Sequence, residues 1–167
     1  MELREYQKIC VNNVFGSIAK GNRRVAVVAP VASGKTVMFA AMSDRYIKEN
    51  PKKSILILSH LSILTNQTKR RFENDFPNIK VEVMQADRYP TNKDADVIIS
   101  TMQSGSREYK TDYMDEYINK KVGFIIVDEM HYIACESYKK ILDKYINAIV
   151  LGVTATPYRD GYIMTNF

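Results

Sequence analysis

VAVVAPVASGKTVMFAAM, residues Val25 to Met42, joins two different periodicities through a polar turn. Val25–Ala29 is a short run of β-branched and small apolar residues, which reads as a buried strand ending at Pro30. Beyond Gly34, the positions Val37, Met38, Ala41 and Met42 fall on one face of a helix. Between them stands Ser33-Gly34-Lys35-Thr36. Such a segment is either an ordinary polar turn or a loop wrapped round a phosphate. The phosphate-loop pattern asks for Gly, four residues, then Gly-Lys-Ser/Thr, between a strand and a helix. Ala29 occupies the first position, while Gly34, Lys35 and Thr36 match. Gly34 lets the backbone approach an anion, and the first N–H groups of the helix point at it. Lys35 would reach the β- and γ-phosphates, and the Thr36 hydroxyl would ligate magnesium. The strand–turn–helix context favours the phosphate reading over the plain turn.

The same alternation continues along the chain. Strand patterns occur at Val25–Ala29, Ser54–Ser59, Lys80–Met84, Asp96–Ser100, Val122–Val127 and Ala148–Val153, several apolar on both faces. Helical spacing places Leu61, Leu64, Thr68, Phe72 and Phe76 on one face, and Val11, Val14, Phe15 and Ile18 on another. Tyr138, Ile141, Leu142 and Tyr145 follow the same rule. This predicts an α/β domain with a mainly parallel sheet covered by helices on both faces. Ligands of such sheets collect at the carboxyl ends of the strands.

With 167 residues, 46% of them apolar and 26% charged, the chain has the length and composition of one soluble domain with a substantial core. Its longest apolar stretch is interrupted by Pro30, Gly34 and Lys35, short of the ~20 residues that span a bilayer. The opening MELREYQ lacks a signal-peptide pattern. Cys10 and Cys135 suit small core residues rather than a disulfide framework, consistent with a reducing, cytoplasmic setting. The net charge is +5, with basic clusters at Arg23-Arg24, Lys52-Lys53, Lys69-Arg70-Arg71 and Lys139-Lys140. Each cluster suits either a nucleic-acid partner or a solvated helix face.

A second chemical feature is FIIVDEMH, Phe124 to His131, in which two acids end an apolar strand. Unpaired burial of such groups is costly. A phosphate-loop NTPase needs an aspartate at the end of a neighbouring strand to hold magnesium, which Asp128 fits, and Glu129 could accept a proton from the attacking water. Taken alone, the pair could equally be an acidic helix start. With Lys35 upstream, the magnesium reading is preferred.

Together, LREYQ (3–7), APVASGKT (29–36), STMQS (100–104), DEMH (128–131) and GVTATPYRDG (152–161) resemble the ordered motifs of superfamily two helicases and translocases. The likeness runs over almost the whole chain. It implies the first, ATP-binding domain of that family's two RecA-like domains, with a DExH box, closest to the DNA-directed branch of type III restriction motors and UvrB-like proteins. The resemblance assigns adenine reading to Gln7, with Arg4 beside it, and nucleotide binding to Ser33, Gly34, Lys35 and Thr36. Thr36 and Asp128 would hold Mg2+, while Lys35, Asp128 and Glu129 form the catalytic set. His131, Thr154 and Thr156 would couple nucleotide state to the rest of the motor. Nucleic-acid contacts are expected from Ser59, His60, Leu61, Thr101, Gln103 and Ser104, whose hydroxyls and amides suit sequence-indifferent phosphate contacts. Capping of helices explains Ser59 and Ser104 equally well.

Three residues depart from the family pattern: Val31 and Ala32 stand where Thr and Gly are usual, which predicts a stiffer loop, and Met130 is bulkier than the small residue common at its position. The resemblance implies an enzyme that couples Mg-ATP hydrolysis to movement on or unwinding of nucleic acid, DNA rather than RNA by its branch. The second RecA-like domain, which carries the arginine finger, would be a partner in cis or trans. The rival from another class is a regulatory or nucleic-acid-binding module that holds nucleotide without turnover. A small-molecule kinase would share the phosphate loop but leaves DEMH and TATP unexplained.

Overall fold

The computed structural model describes residues 2–59, 62–85, 90–92, 94–101, 104, 121–130, 136–156, 158–159 and 162–163. Six strands form one sheet: β1 (Arg24–Val28), β2 (Ser54–Ser59), β3 (Val81–Met84), β4 (Val97–Thr101), β5 (Val122–Asp128) and β6 (Ile149–Thr154). Every pairing between them is parallel, in the order β1-β6-β5-β2-β4-β3. The described helices are α1 (Glu5–Ala19), α2 (Lys35–Glu49), α3 (Ser62–Asp75) and α4 (Glu136–Lys144). The short strands β7 (Tyr158–Arg159) and β8 (Tyr162–Ile163) pair antiparallel with each other.

Strand alternation divides the interior into two cores, as the covered-sheet pattern requires. Ile55, Ile57, Val97, Ile99, Phe124 and Ile126 pack on one face with Val14 and Phe15 of α1, Met38 and Phe39 of α2, and Phe72 of α3. Their neighbours Leu56, Leu58, Ile98, Ile125 and Val127 pack on the other face with Tyr138, Ile141 and Tyr145. Each such side chain contributes about 1.5–3 kcal/mol by leaving water. Every residue of β2 is buried, because it lies between β4 and β5 and under helices. At the sheet edge β1 pairs with β6 alone among the described residues, and its residues alternate between exposed and half-buried.

Strand positions follow the apolar pattern to within a residue, and the differences have a cause. Lys80 and Asp96 precede their strands: the Asp96 N–H donates to the Lys80 carbonyl at 2.8 Å, and the Asp96 carboxylate accepts from the Lys80 N–H at 2.8 Å. At the opposite end the ladders run one residue past the apolar run, to Thr101, Asp128 and Thr154. These polar strand-terminal residues are candidates for the site. Cys10 is half-buried against the first core, and burial pushes its thiol pKa up; Cys135 lies outside the described residues.

Gly123, at the start of β5, faces the Tyr46 hydroxyl and the Lys53 stem. A methyl there would press on the Tyr46 hydroxyl and lie 3.2 Å from Lys53 carbons. Tyr46 cannot yield easily, because it is buried with its ring 5.0 Å from that of Phe124. Gly123→Ala should therefore cost about 1–3 kcal/mol of stability by overpacking. A lowered urea midpoint with an unchanged slope is the expected observation.

Candidate nucleotide site

The loop after β1 takes its shape from two left-handed residues, Ala32 at φ 63° and Gly34 at φ 79°. Gly34 is the N-cap of α2, and no side chain caps that helix. Its first N–H groups and the positive end of its dipole are therefore available to an anion. The Ala32 conformation explains why glycine suits this position. Alanine bears a cost of roughly 1–2 kcal/mol there. Val31 is 80% exposed at the tip of the loop. Ser33 Oγ is buried with no hydrogen-bond partner among the described residues, the kind of orphan that a phosphate oxygen would satisfy.

From the first position of α2, the Lys35 ammonium donates to Glu129 Oε1 at 2.6 Å and lies 3.9 Å from Asp128 Oδ1. The three side chains are 15%, 29% and 17% exposed respectively, so the pairing is partly shielded from water. Sheet order makes this contact possible. β6 lies between β1 and β5, so the two strand ends stand about 9.5 Å apart, twice the interstrand spacing. Lys35 spans that gap. Glu129 adopts φ 56°, a left-handed turn directly after the strand, and its N–H donates to Asp128 Oδ1 at 3.1 Å.

Burial raises the Asp128 pKa above the ordinary aspartate value; Lys35 lowers it, Glu129 raises it, and the Glu129 N–H lowers it. The Thr36 hydroxyl, one residue after Lys35 in α2, and a carboxylate at the end of β5 are donor types that would suit a magnesium ion whose other ligands are phosphate oxygens and water. Among the described residues no group of three or more His, Cys, Asp or Glu side chains gathers to hold a metal by itself.

On the other side of the loop, Gln7 is 5% exposed. Its Oε1 accepts from the Arg4 N–H at 3.0 Å, and its Nε2 donates to the Ser33 carbonyl at 3.1 Å. The Tyr6 hydroxyl donates to the same carbonyl at 2.8 Å. α1 is thereby tied to the phosphate loop. A side chain at Gly34 would place its Cβ 2.6 Å from Gln7 Nε2, a second reason for glycine there. A hollow of about 200 Å³ opens here, lined by Glu2, Arg4, Tyr6, Gln7, Ala32, Ser33, Gly34, Val37 and Arg71. The sequence places Arg71 only in a basic cluster and Val37 only on a helical face, and assigns neither to the site. Nothing in the spacing of Arg71 from Gln7 could have joined them, since the contact is made by the tertiary packing of α3.

Thr154 ends β6 between the two chemical strands, and it is fully buried. Its hydroxyl donates to the Thr156 carbonyl at 3.0 Å and accepts from the Thr156 N–H at 3.1 Å, while the Ala29 N–H donates to the Thr154 carbonyl at 2.8 Å. The TAT segment is thus bonded directly to the start of the phosphate loop. Ser59, Thr101 and Ser104 are buried at 3%, 5% and 2% exposure. Thr101 Oγ1 donates to Ser104 Oγ at 2.9 Å and accepts from the Ser104 N–H at 3.3 Å, which is capping geometry. His60, Leu61, Gln103 and His131 lie outside the described residues.

The raised Asp128 pKa has a direct consequence for stability. The folded chain holds this proton more tightly than the unfolded chain, so stability falls as pH rises through the interval between the two pKa values. Asp128→Asn should therefore stabilise the nucleotide-free chain at neutral pH, with the gain disappearing at acid pH below both values. Urea midpoints at neutral and acid pH check this; a loss of stability at neutral pH would contradict it.

Comparison with known proteins agrees with this arrangement. The family model of the type III restriction enzyme, res subunit, matches residues 1–159. The chain is 30% identical over 148 residues to the putative ATP-dependent helicase IRC3 of Saccharomyces cerevisiae, covering 86% of this chain and 21% of that protein. It is 26% identical over 168 residues to the general transcription and DNA repair factor IIH helicase/translocase subunit XPB of Encephalitozoon cuniculi, covering 95% of this chain and 24% of that one. It thus spans about a fifth to a quarter of the length of these relatives. Among solved structures, the UvsW helicase from bacteriophage T4 matches with a TM-score of 0.74 at 24% identity, over 96% of this chain and 55% of that chain. A nuclease-deletion mutant of the Type ISP restriction-modification enzyme LlaGI, in complex with a DNA substrate mimic, matches with a TM-score of 0.75 at 20% identity, over 99% and 19%. These likenesses show a RecA-like helicase-core fold. From α1 to β7, the chain belongs to the family of the type III restriction enzyme res subunit.

Proposed function

We propose that this chain is the ATP-binding half of a DNA helicase or translocase, coupling Mg-ATP hydrolysis to movement on nucleic acid. The observation that carries the reading is the Lys35 ammonium held by Glu129 and Asp128 across the width of β6. In the nucleotide-free arrangement Glu129 occupies the lysine. Phosphates arriving at the α2 N-terminus take its place on Lys35. The freed Glu129 carboxylate then positions the attacking water and accepts its proton. Thr36 and Asp128 hold the magnesium, which supplies charge neutralisation to the phosphates when bound. Ser33 and Gly34 present a hydroxyl and a close backbone to the same anion, while Arg4 and Gln7 face the base.

His131, Thr154 and Thr156 would transmit the nucleotide state. The bond from Ala29 to Thr154 supports this, because a shift of the loop pulls on β6. For nucleic acid, the loops after β2 and β4 are the proposed surface, through His60, Gln103 and the backbone around Ser59, Thr101 and Ser104. Ser59 and Thr101 end β2 and β4 and, like Ser104, are buried. Full turnover requires a second RecA-like domain, in cis or trans, whose arginine finger is worth about 10³–10⁵ in rate where one operates.

Two measurements test the reading. By calorimetry, Lys35→Ala should lose ATP binding by at least about a hundredfold, while Glu129→Gln binds at least as tightly as the parent because a competing carboxylate has gone. With the second domain present, Glu129→Gln should lower ATP turnover by about 10²–10⁴. Parent-like binding by Lys35→Ala would remove the assignment. Separately, affinity for unrelated DNA oligonucleotides should fall with salt and show little sequence preference. Fluorescence anisotropy at two salt concentrations measures this, and a strong, salt-insensitive preference for one sequence would favour the regulatory-module reading.

A further inference from the structure

The basic clusters of the sequence meet different fates in the fold. Lys69 and Arg71 pair with Glu73 and Asp75 one turn along α3, and Lys140 pairs with Glu136 on α4. Pairs of that kind neutralise the charge where it stands. Arg23, Arg24, Lys52 and Lys53 are exposed and have no carboxylate partner among the described residues. These two pairs belong to the amino ends of β1 and β2, far apart in sequence, yet Arg23 and Lys53 line one hollow of about 600 Å³. Asn22, Asn50 and Asn147 add amides to its lining, Tyr46 adds a hydroxyl, and no Asp or Glu lines it. The Arg23 guanidinium donates to the Asn147 carbonyl, which braces it and leaves most of its N–H groups open. The carboxyl ends of α1 and α2 also reach this hollow, through Ile18 and through Tyr46 and Asn50. Two helix dipoles of about −0.5 charge each, set against four cations, leave about +3.

We propose that this face, at the amino ends of the strands, is a second nucleic-acid contact that holds the phosphate backbone without reading sequence. The proposal rests on the nucleic-acid reading above for the class of polyanion, and on the fold for the place. Arginine, lysine, asparagine and tyrosine are the donor types that meet phosphate and sugar oxygens. Cations on an exposed rim suit a polymer with repeated charges, whose approach releases counterions. Ile18 and Ile149 give the hollow an apolar wall for the carbon face of a sugar. β2 runs six residues, so this face lies about 20 Å from the loops after β2 and β4. The two surfaces therefore do not overlap, and each adds its own share to the salt dependence of binding.

Fluorescence anisotropy of the 167-residue chain with a labelled DNA duplex, at several salt concentrations, tests this. Arg23→Gln with Lys53→Gln should weaken unrelated sequences by a similar factor and reduce the salt slope by about 2. The ratio of parent to variant affinity should then shrink about tenfold between about 50 and about 200 mM salt. Lys69→Gln with Lys140→Gln removes the same formal charge from cations already paired on their helices, and should leave the slope at the parent value. Because Arg23 also braces Asn147, Lys53→Gln alone is a second variant, with a slope lower by about 1 expected. A parent-like slope in Lys53→Gln and in the double variant would overturn the proposal. So would an equal drop in the Lys69 and Lys140 variant, which shows that net charge alone acts. Displacement of the DNA by polyglutamate as readily as by unlabelled duplex of equal charge would assign the face to an acidic protein segment instead. A parent chain that binds no DNA at low salt would sink the nucleic-acid reading itself, whereas a salt-sensitive parent matched by the double variant sinks this face alone.

Discussion

The Lys35 ammonium and the two carboxylates at the end of β5 form the interaction on which the site's arrangement rests. They lie 94 and 93 positions apart in sequence and meet because β6 is inserted between β1 and β5. Had β1 and β5 been direct neighbours, the acids would crowd the loop. With two strands between them, a lysine could not reach. One intervening strand lets the ammonium span to the carboxylates, and it also puts Thr154 between the two strand ends. The charges are poised rather than stabilising in a simple sense. Partly buried, the acid–base set offsets its own desolvation only while each member keeps a partner.

Around this centre the loop is held from two sides. β6 takes the Ala29 N–H, and α1 takes the Ser33 carbonyl through Gln7 and Tyr6. Among the described residues, left-handed non-glycine backbone is confined to residues at the site, Ala32 beside the loop tip and Glu129 at the acid. Such strain is tolerable because the surrounding sheet over-determines it. Rigid attachment and local strain together describe a loop held in one geometry by its neighbours.

Much of this was legible in the residues. Apolar runs located the six strands to within a residue at either end, because interior strands of a covered parallel sheet must be apolar on both faces. The chemistry of Lys35, Asp128 and Glu129 followed from residue type at strand ends. Their direct ion pairing did not, because it depends on which strand lies between them, and strand order is a tertiary property. Gln7 read as a base contact; its hold on the Ser33 carbonyl is visible only with α1 packed beside the loop. Arg71 is one of three adjacent basic residues, and nothing local distinguishes the one that lines a hollow from Lys69, which is half-buried and paired with Glu73. The hydroxyls of Thr101 and Ser104 show the opposite case. Their types suit phosphate contact, and in the fold the two are buried and bonded to each other.

The edge position of β1 sets how the sheet breathes. A strand bonded on one side opens without breaking a second ladder, whereas β2 must release β4 and β5 together. Amide protons of Arg24–Val28 therefore exchange through smaller, cheaper openings than those of Ser54–Ser59. The strand that carries the phosphate loop is thus, like β3 at the other edge, more readily loosened than the strands inside the sheet. A ligand that ties the loop to α1 and β5 at once would protect β1 more than any other strand, making its exchange rate a direct gauge of occupancy.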